Sequence, residues 1–204
     1  AASADLLAGW LRRVVAGSAP AEVHLDVLEA ALKRKSPAIQ EQLAHYEATL
    51  NKDPKSLDGW KVCLTGGNAE AGRTIFIERA EVSCVRCHKA NGEGGEVGPE
   101  LTGLIARQSR EYILESIVLP NARIAEGFEN LLITMKSGVA YAGVIKSETA
   151  SELQILSPED GVLTLKKAEI KSREKGLSAM PEGFGAILTR QDIRNLVEFI
   201  ATLK

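Results

Sequence analysis

The sequence predicts a mainly α-helical protein in which a small antiparallel β module, a barrel or a meander, interrupts a helical domain. Three observations indicate this class. Apolar residues recur at helical spacing from residue 1 to about residue 60. Between about 128 and 173 the pattern changes to alternation with recurrent turn residues. Helical spacing returns after Gly183, so the β segment lies inside the helical region.

Residues 1–60 are predicted to form a short helical segment. Apolar stripes at 6–15 and 23–32 indicate two helices, and Ser36 followed by Pro37 predicts the N-cap and first residue of a third. Three short amphipathic helices joined by tight turns would form a small bundle or one end of a helical-repeat array.

The second helical unit is predicted to be discontinuous, with residues 61–126 and 174–204 on either side of the β module at 127–173. Helix N-caps are predicted at Asn68 and Ser109. A capping box of Thr189 and Asp192 predicts the start of the last helix.

The β module contains four or five short strands separated by turns, which suggests a meander or a small barrel. The turns are expected at Ser137-Gly138 and at 157–161. The alternating runs are Leu131-Ile133-Met135, Val139-Tyr141-Gly143-Ile145, Leu153-Ile155 and Val162-Leu163-Thr164-Leu165.

The composition excludes several classes of protein. A chain of 204 residues with 45% hydrophobic residues and a net charge of −2 is neither a disordered tail nor a typical nucleic-acid binder. No run approaches the roughly 18 apolar residues of a membrane span. The chain begins Ala-Ala-Ser without a leader-like segment, as we expect of a processed chain or a piece of a longer one. Aromatic residues are scarce, at 4%.

The chemistry-bearing motif is Cys84-Val85-Arg86-Cys87-His88, because C-x-x-C-H is the attachment signature of c-type haem. Two thiols one helical turn apart can reach the vinyl groups on one porphyrin edge, and the adjacent histidine can bind the iron. The alternatives are a zinc half-site, which needs a fourth ligand, and a thioredoxin-type pair, which would follow a buried strand. The third cysteine, Cys63, is expected to be buried and inert rather than paired between chains.

Residues 61–126 with 174–204 resemble a class I cytochrome c. More narrowly, the chain resembles the haem-binding domains at the C-terminal ends of large secreted bacterial multidomain proteins. The segments that carry this narrower likeness are G-E-G-G-E-V-G-P-E-L-T-G, E-S-I-V-L-P-N and S-A-M-P-E-G. The broader likeness rests on Gly72, Phe76, the C-x-x-C-H, the G-P-x-L-x-G segment Gly98-Pro99-Glu100-Leu101-Thr102-Gly103, and Met180-Pro181.

The resemblance implies one covalent haem c, with iron, held by thioethers from Cys84 and Cys87 and by His88 as proximal ligand. It also implies that the Pro99 carbonyl accepts a hydrogen bond from the His88 ring and that Leu101 packs on the haem. Gly72 would allow the first cytochrome helix to approach the last closely, with Phe76 against Leu196 or Phe199.

Met180 is the expected sixth ligand. It lies 92 residues after His88, a distance that becomes ordinary once the β module is removed. Pro181 restrains its backbone to an extended conformation. The alternative is a methionine that fills the core. Met135 is expected to pack within the sheet, and His24 and His45 to be surface or core residues.

The predicted function is one-electron transfer by a protein that is not an enzyme, located in the periplasm or elsewhere outside the cytoplasm. The expected partner is a redox protein, a dehydrogenase or reductase, fused or separate. Basic residues that could steer such a partner, or could equally be ordinary solvated surface charges, are Arg86, Lys89, Arg107 and Arg110. The alternative is a haem-based gas sensor or peroxidase-like domain with a displaceable sixth ligand.

Overall fold

The computed structural model describes residues 2–204, with side chains from residue 5 onward; Ala1, in the predicted N-terminal segment, lies outside the described residues. The α-helices are α1 Ala2–Val15, α2 His24–Leu32, α3 Pro37–Thr49, α4 Ala69–Glu78, α5 Cys84–Cys87, α6 Arg110–Val118, α7 Phe184–Ile187 and α8 Arg190–Thr202. The strands are β1 Lys89–Ala90, β2 Glu93–Gly94, β3 Asn130–Met135, β4 Ala140–Glu148, β5 Glu152–Ser157, β6 Gly161–Lys166 and β7 Ile170–Lys175. Short 3-10 helices cover Ala21–Val23, Asp58–Cys63, Leu104–Ala106 and Lys167–Glu169.

The N-terminal helices α1 to α3 share one hydrophobic cluster with the helices that follow. Leu11, Leu25 and Ile39 are fully or almost fully buried in it. The buried Arg194 of α8 also reaches back to Asp26 of α2 with two hydrogen bonds, of 2.9 and 2.8 Å. The described segment therefore packs onto the rest of the chain, while the division at residue 60 stays a prediction.

All four predicted N-cap residues occupy N-cap positions, and three of them cap their helix with a side-chain hydrogen bond. The Asn68 side chain accepts a hydrogen bond from the Ala71 N–H at 2.9 Å, and Ser109 caps α6 in the same way. Thr189 and Asp192 form a capping box at α8. Ser36 occupies the N-cap position of α3 and Pro37 is the first residue of the helix, as predicted, although the Ser36 side chain makes no capping hydrogen bond.

The β module is an open five-stranded antiparallel sheet with the order β6-β5-β4-β3-β7. Strands β3 to β6 form the predicted meander, and β7 returns after a 3-10 turn to pair with β3. The barrel alternative is wrong, because in the described part of the chain β6 and β7 are edge strands that do not pair with each other. The order of alternating strands does not specify whether a sheet closes, since closure depends on tilt and stagger.

The sheet has a small core of its own, separate from the helical cluster. Alternation places one face of each strand inward, and Met135 is buried there at 7% exposure, as predicted for a packing residue. The core residues are Ile133, Met135, Leu153, Ile155 and Leu165.

Helices α4 and α8 cross in close contact at Gly72. A Cβ atom at Gly72 would lie 2.6 Å from the carbonyl carbon of Asn195 and 2.7 Å from the Cβ of Phe199, so only glycine fits. The rings of Phe76 and Phe199 pack with centroids 5.4 Å apart, which agrees with one of the two contacts expected for Phe76. Among residues 2–204, no helix is long and apolar enough to cross a membrane.

We expect Gly72→Ala to lower the free energy of unfolding by about 1–3 kcal/mol, because the added methyl group meets backbone atoms that cannot move aside. Gly9→Ala is the matched control: Gly9 also lies inside a helix, and a Cβ atom there would only make an ordinary contact, 3.9 Å from the Arg12 guanidinium. The control should raise stability by up to about 1 kcal/mol through helix propensity. Equal effects of the two substitutions in urea unfolding would contradict the close crossing.

Candidate functional site

An apolar cavity of about 280 Å³ lies between α4, α6, α8 and the segments that carry His88 and Met180. A second cavity of about 110 Å³ shares much of its lining. The residues that line both include Cys84, His88, Pro99, Met180 and Phe184. The apolar side chains that complete the larger cavity are Phe76, Leu101, Leu104, Ile113, Ile117, Leu188, Leu196 and Ile200.

The two motif cysteines begin and end α5, which is a single helical turn. This geometry places Cys84 and Cys87 on the same side of the chain, and His88 follows in an extended conformation. Cys84 lines both cavities, whereas Cys87 lines the smaller one. Burial raises the pKa of the Cys84 thiol to about 11 and raises that of Cys87 as well.

The loop at 94–101 wraps around the C-x-x-C-H turn. Its backbone N–H groups at Gly95 and Gly98 donate to the carbonyls of Val85 (2.9 Å) and Cys87 (2.8 Å), and Leu101 donates to Lys89 (2.9 Å). The carbonyls of so short a helix have few partners within it, and the loop supplies them. A side chain at Gly95 would collide with the backbone of Arg86, which explains the Gly-rich sequence.

The His88 ring is oriented by a hydrogen bond between Nδ1 and the Pro99 carbonyl oxygen, at 2.9 Å. The carbonyl only accepts, so Nδ1 carries the proton and Nε2 is the nitrogen left to bind a metal. Burial lowers the pKa of His88, while the bond to Pro99 opposes this effect. The ring also packs against Gly98, where a Cβ atom would lie 2.7 Å from Nδ1.

The sheet brings Met180 back to the cavity despite the long separation from His88. Strand β7 pairs with β3 at the base of the module, where Leu131 faces Lys175 and the Gly176 N–H donates to the Asn130 carbonyl at 2.8 Å. The chain therefore leaves and re-enters the helical region at nearly the same point. Met180 then packs against the helical cluster and lines both cavities.

Of the remaining candidate residues, all of which the structure describes, Leu101 lines the larger cavity, whereas Cys63, His24 and His45 do not. Leu101 is buried. Cys63 is fully buried and forms no disulfide in the part of the chain that the structure describes, and burial raises its pKa to about 12, as expected for an inert thiol. Neither His24, whose Nε2 is 3.0 Å from the Ala19 carbonyl, nor the exposed His45 is among the described residues that line the cavities.

The four predicted steering residues have different surroundings. Arg107 lines the larger cavity, and Arg86 is exposed. Lys89 pairs with Glu96 at 2.6 Å. The guanidinium of Arg110 holds Glu198 through two hydrogen bonds, of 2.7 and 3.0 Å, so this charge is paired within the protein.

Some cavity residues were missed by sequence reasoning. Tyr112 and Phe184 line both cavities. Asn121 was part of the quoted segment E-S-I-V-L-P-N without a role, and its amide contacts the Met180 segment. No local spacing signal marks these residues, because they reach the site through tertiary packing.

The family model for cytochrome c matches residues 69–160. This match supports a cytochrome c-type domain. It begins at the first residue of α4 and includes the C-x-x-C-H and α6, while Met180 and α8 lie beyond it. No curated protein matches the chain.

The cofactor of the cytochrome c family is covalently attached haem c with its iron. The residues of the cavity fit such a group: the apolar lining suits a porphyrin, a one-turn cysteine pair borders it, and an imidazole has one nitrogen unengaged. Among residues 2–204 no cluster of three or more histidine, cysteine or carboxylate side chains could hold a metal ion, so the zinc alternative has no ligand set there.

We expect Gly98→Ala to displace the His88 ring, because the new methyl group would occupy the position of ring atoms. The Nδ1 proton of His88, followed by NMR, should exchange with solvent faster once its bond to Pro99 is weakened. Gly92→Asn is the control, since Gly92 lies in the same region with open space and a positive φ that asparagine tolerates. Unchanged exchange in Gly98→Ala would contradict the role of this contact.

Proposed function

We propose that this chain is a c-type cytochrome that carries single electrons on one haem with histidine and methionine as axial ligands. The observation that supports the proposal is the shared lining of one apolar cavity by Cys84, His88, Pro99, Leu101 and Met180. Under this proposal Cys84 and Cys87 form the thioethers, His88 is the proximal ligand and Met180 the sixth. When bound, haem c supplies an iron that changes its oxidation state by one electron.

The residues of the chain would hold the cofactor and keep other chemistry out. The bond to Pro99 fixes the tautomer and the orientation of His88. Met180 comes from a different segment of the chain and would occupy the remaining axial position. The mainly apolar lining of the cavity would keep most water away from the bound haem. Because His88 and Met180 would both bind the iron, no site on it would remain for a substrate, and this favours electron transfer over substrate turnover.

We further propose an extracytoplasmic location, a redox protein such as a dehydrogenase or reductase as partner, and a division into 1–60, 61–126 with 174–204, and 127–173. The match to cytochrome c supports the first two. The separate core of the sheet supports the division at the module. The three quoted segments support a place among the C-terminal haem-binding domains of large secreted bacterial proteins.

The attachment of haem is tested with the three cysteines of the chain. After expression with a haem-maturation system, we expect the parent protein to stain for haem on a denaturing gel. Cys84→Ala combined with Cys87→Ala should remove the stain, whereas the control Cys63→Ala should keep it, because Cys63 lies elsewhere in the core. A parent protein without covalent haem would refute the proposal.

The sixth ligand is tested with the two methionines. We expect the oxidised parent to show a sulfur-to-iron charge-transfer band, which Met180→Ala should abolish and the control Met135→Leu should retain. The reduced parent should not bind carbon monoxide, whereas reduced Met180→Ala should bind it. Survival of the band in Met180→Ala would exclude this ligand, and binding of carbon monoxide by the parent would favour the gas-sensor or peroxidase alternative.

A further inference from the structure

The side chain of Asn121 bridges the two flanks of Met180. Its Oδ1 accepts a hydrogen bond from the Ser178 N–H at 2.7 Å, and its Nδ2 donates to Glu182 Oε1 at 2.6 Å. These partners lie two residues before and two residues after Met180. One amide therefore holds both sides of the segment that carries the proposed ligand.

The orientation of the Asn121 amide follows from its partners. A backbone N–H can only donate, so the oxygen must face Ser178, and the nitrogen then faces the carboxylate of Glu182. Ser178 extends the connection inward, since its hydroxyl oxygen accepts a hydrogen bond from the Met180 N–H at 3.2 Å. Asn121 is thus linked through Ser178 to the backbone of Met180 itself.

Asn121 lies in the turn that directly follows helix α6. In this turn Pro120 is buried and the Ala122 N–H bonds to the Leu119 carbonyl at 2.8 Å. The Met180 segment, by contrast, has no regular structure between the end of β7 and the start of α7. Without ties to a helix, such a segment gains conformational entropy when it leaves the site.

We infer that Asn121 is a positioning residue that holds Met180 at the cavity and opposes its displacement; this inference rests on the proposed ligation by Met180. Asn121 acts through Ser178 and Glu182 and does not touch the iron. Asn121 would therefore change how readily an added ligand replaces Met180 at the iron.

The probe is imidazole binding to the oxidised holoprotein, which requires release of Met180. We expect Asn121→Ala to raise the affinity for imidazole about tenfold. The substitution removes the two hydrogen bonds that hold the Met180 segment at the cavity, so Met180 is displaced more easily. Covalent haem should be unchanged on the gel. Asn51→Ala is the matched control, since Asn51 is an exposed asparagine that makes a local turn bond away from the cavity; its affinity should equal that of the parent.

A swap of chemical groups gives a second test that does not depend on the alanine variant. Asn121→Asp alone places two carboxylates together and should raise imidazole affinity. Adding Glu182→Gln restores an amide donor opposite a carboxylate acceptor, so the double variant should return toward the parent value. Failure of the double variant to recover would overturn the inference.

The outcomes separate this inference from the proposed function. If the parent and Met180→Ala bind imidazole equally, Met180 is not the ligand, and both the ligation and the inference fail. If Met180→Ala binds imidazole much more tightly than the parent but Asn121→Ala and Asn121→Asp do not differ from the parent, the ligation stands and the inference alone is overturned.

Discussion

The close crossing of α4 and α8 is the constraint on which the rest of the structure depends. It joins segments that lie on opposite sides of the β module, and it is possible because Gly72 presents no side chain to the backbone of Asn195. Phe76, Leu196 and Ile200 from these two helices line the larger cavity. A wider crossing would separate these side chains and open the site to solvent, since interiors rely on close packing.

The two sides of the cavity are held by different kinds of interaction. On one side, the loop at 94–101 satisfies the carbonyls of the C-x-x-C-H turn and orients His88 through Pro99. On the other side, the pairing of β3 with β7 closes the inserted module and returns the chain next to its point of departure. Closing a long insertion costs little more entropy than closing a short one, so the sheet does not prevent formation of the site.

Several features could be predicted because they depend on neighbouring residues. The caps at Asn68, Ser109 and Thr189 and the one-turn spacing of the cysteines are local signals, and the structure contains them. The barrel alternative failed because closure depends on geometry between strands that are distant in sequence. Aromatic residues are scarce in the chain, yet Phe76, Tyr112, Phe128 and Phe184 line the larger cavity, where a bound porphyrin would add further apolar surface.

The sequence by itself determined the secondary structure of most segments, the presence of a β module within a helical region, and the haem-attachment motif. These depend on periodicity and on spacing within one turn of chain. Only the tertiary structure decided that the sheet is open, that Arg110 holds Glu198, and that Asn121 reaches the Met180 segment. The physical reason is that such contacts join residues tens of positions apart, whose meeting depends on how whole elements pack rather than on any local pattern.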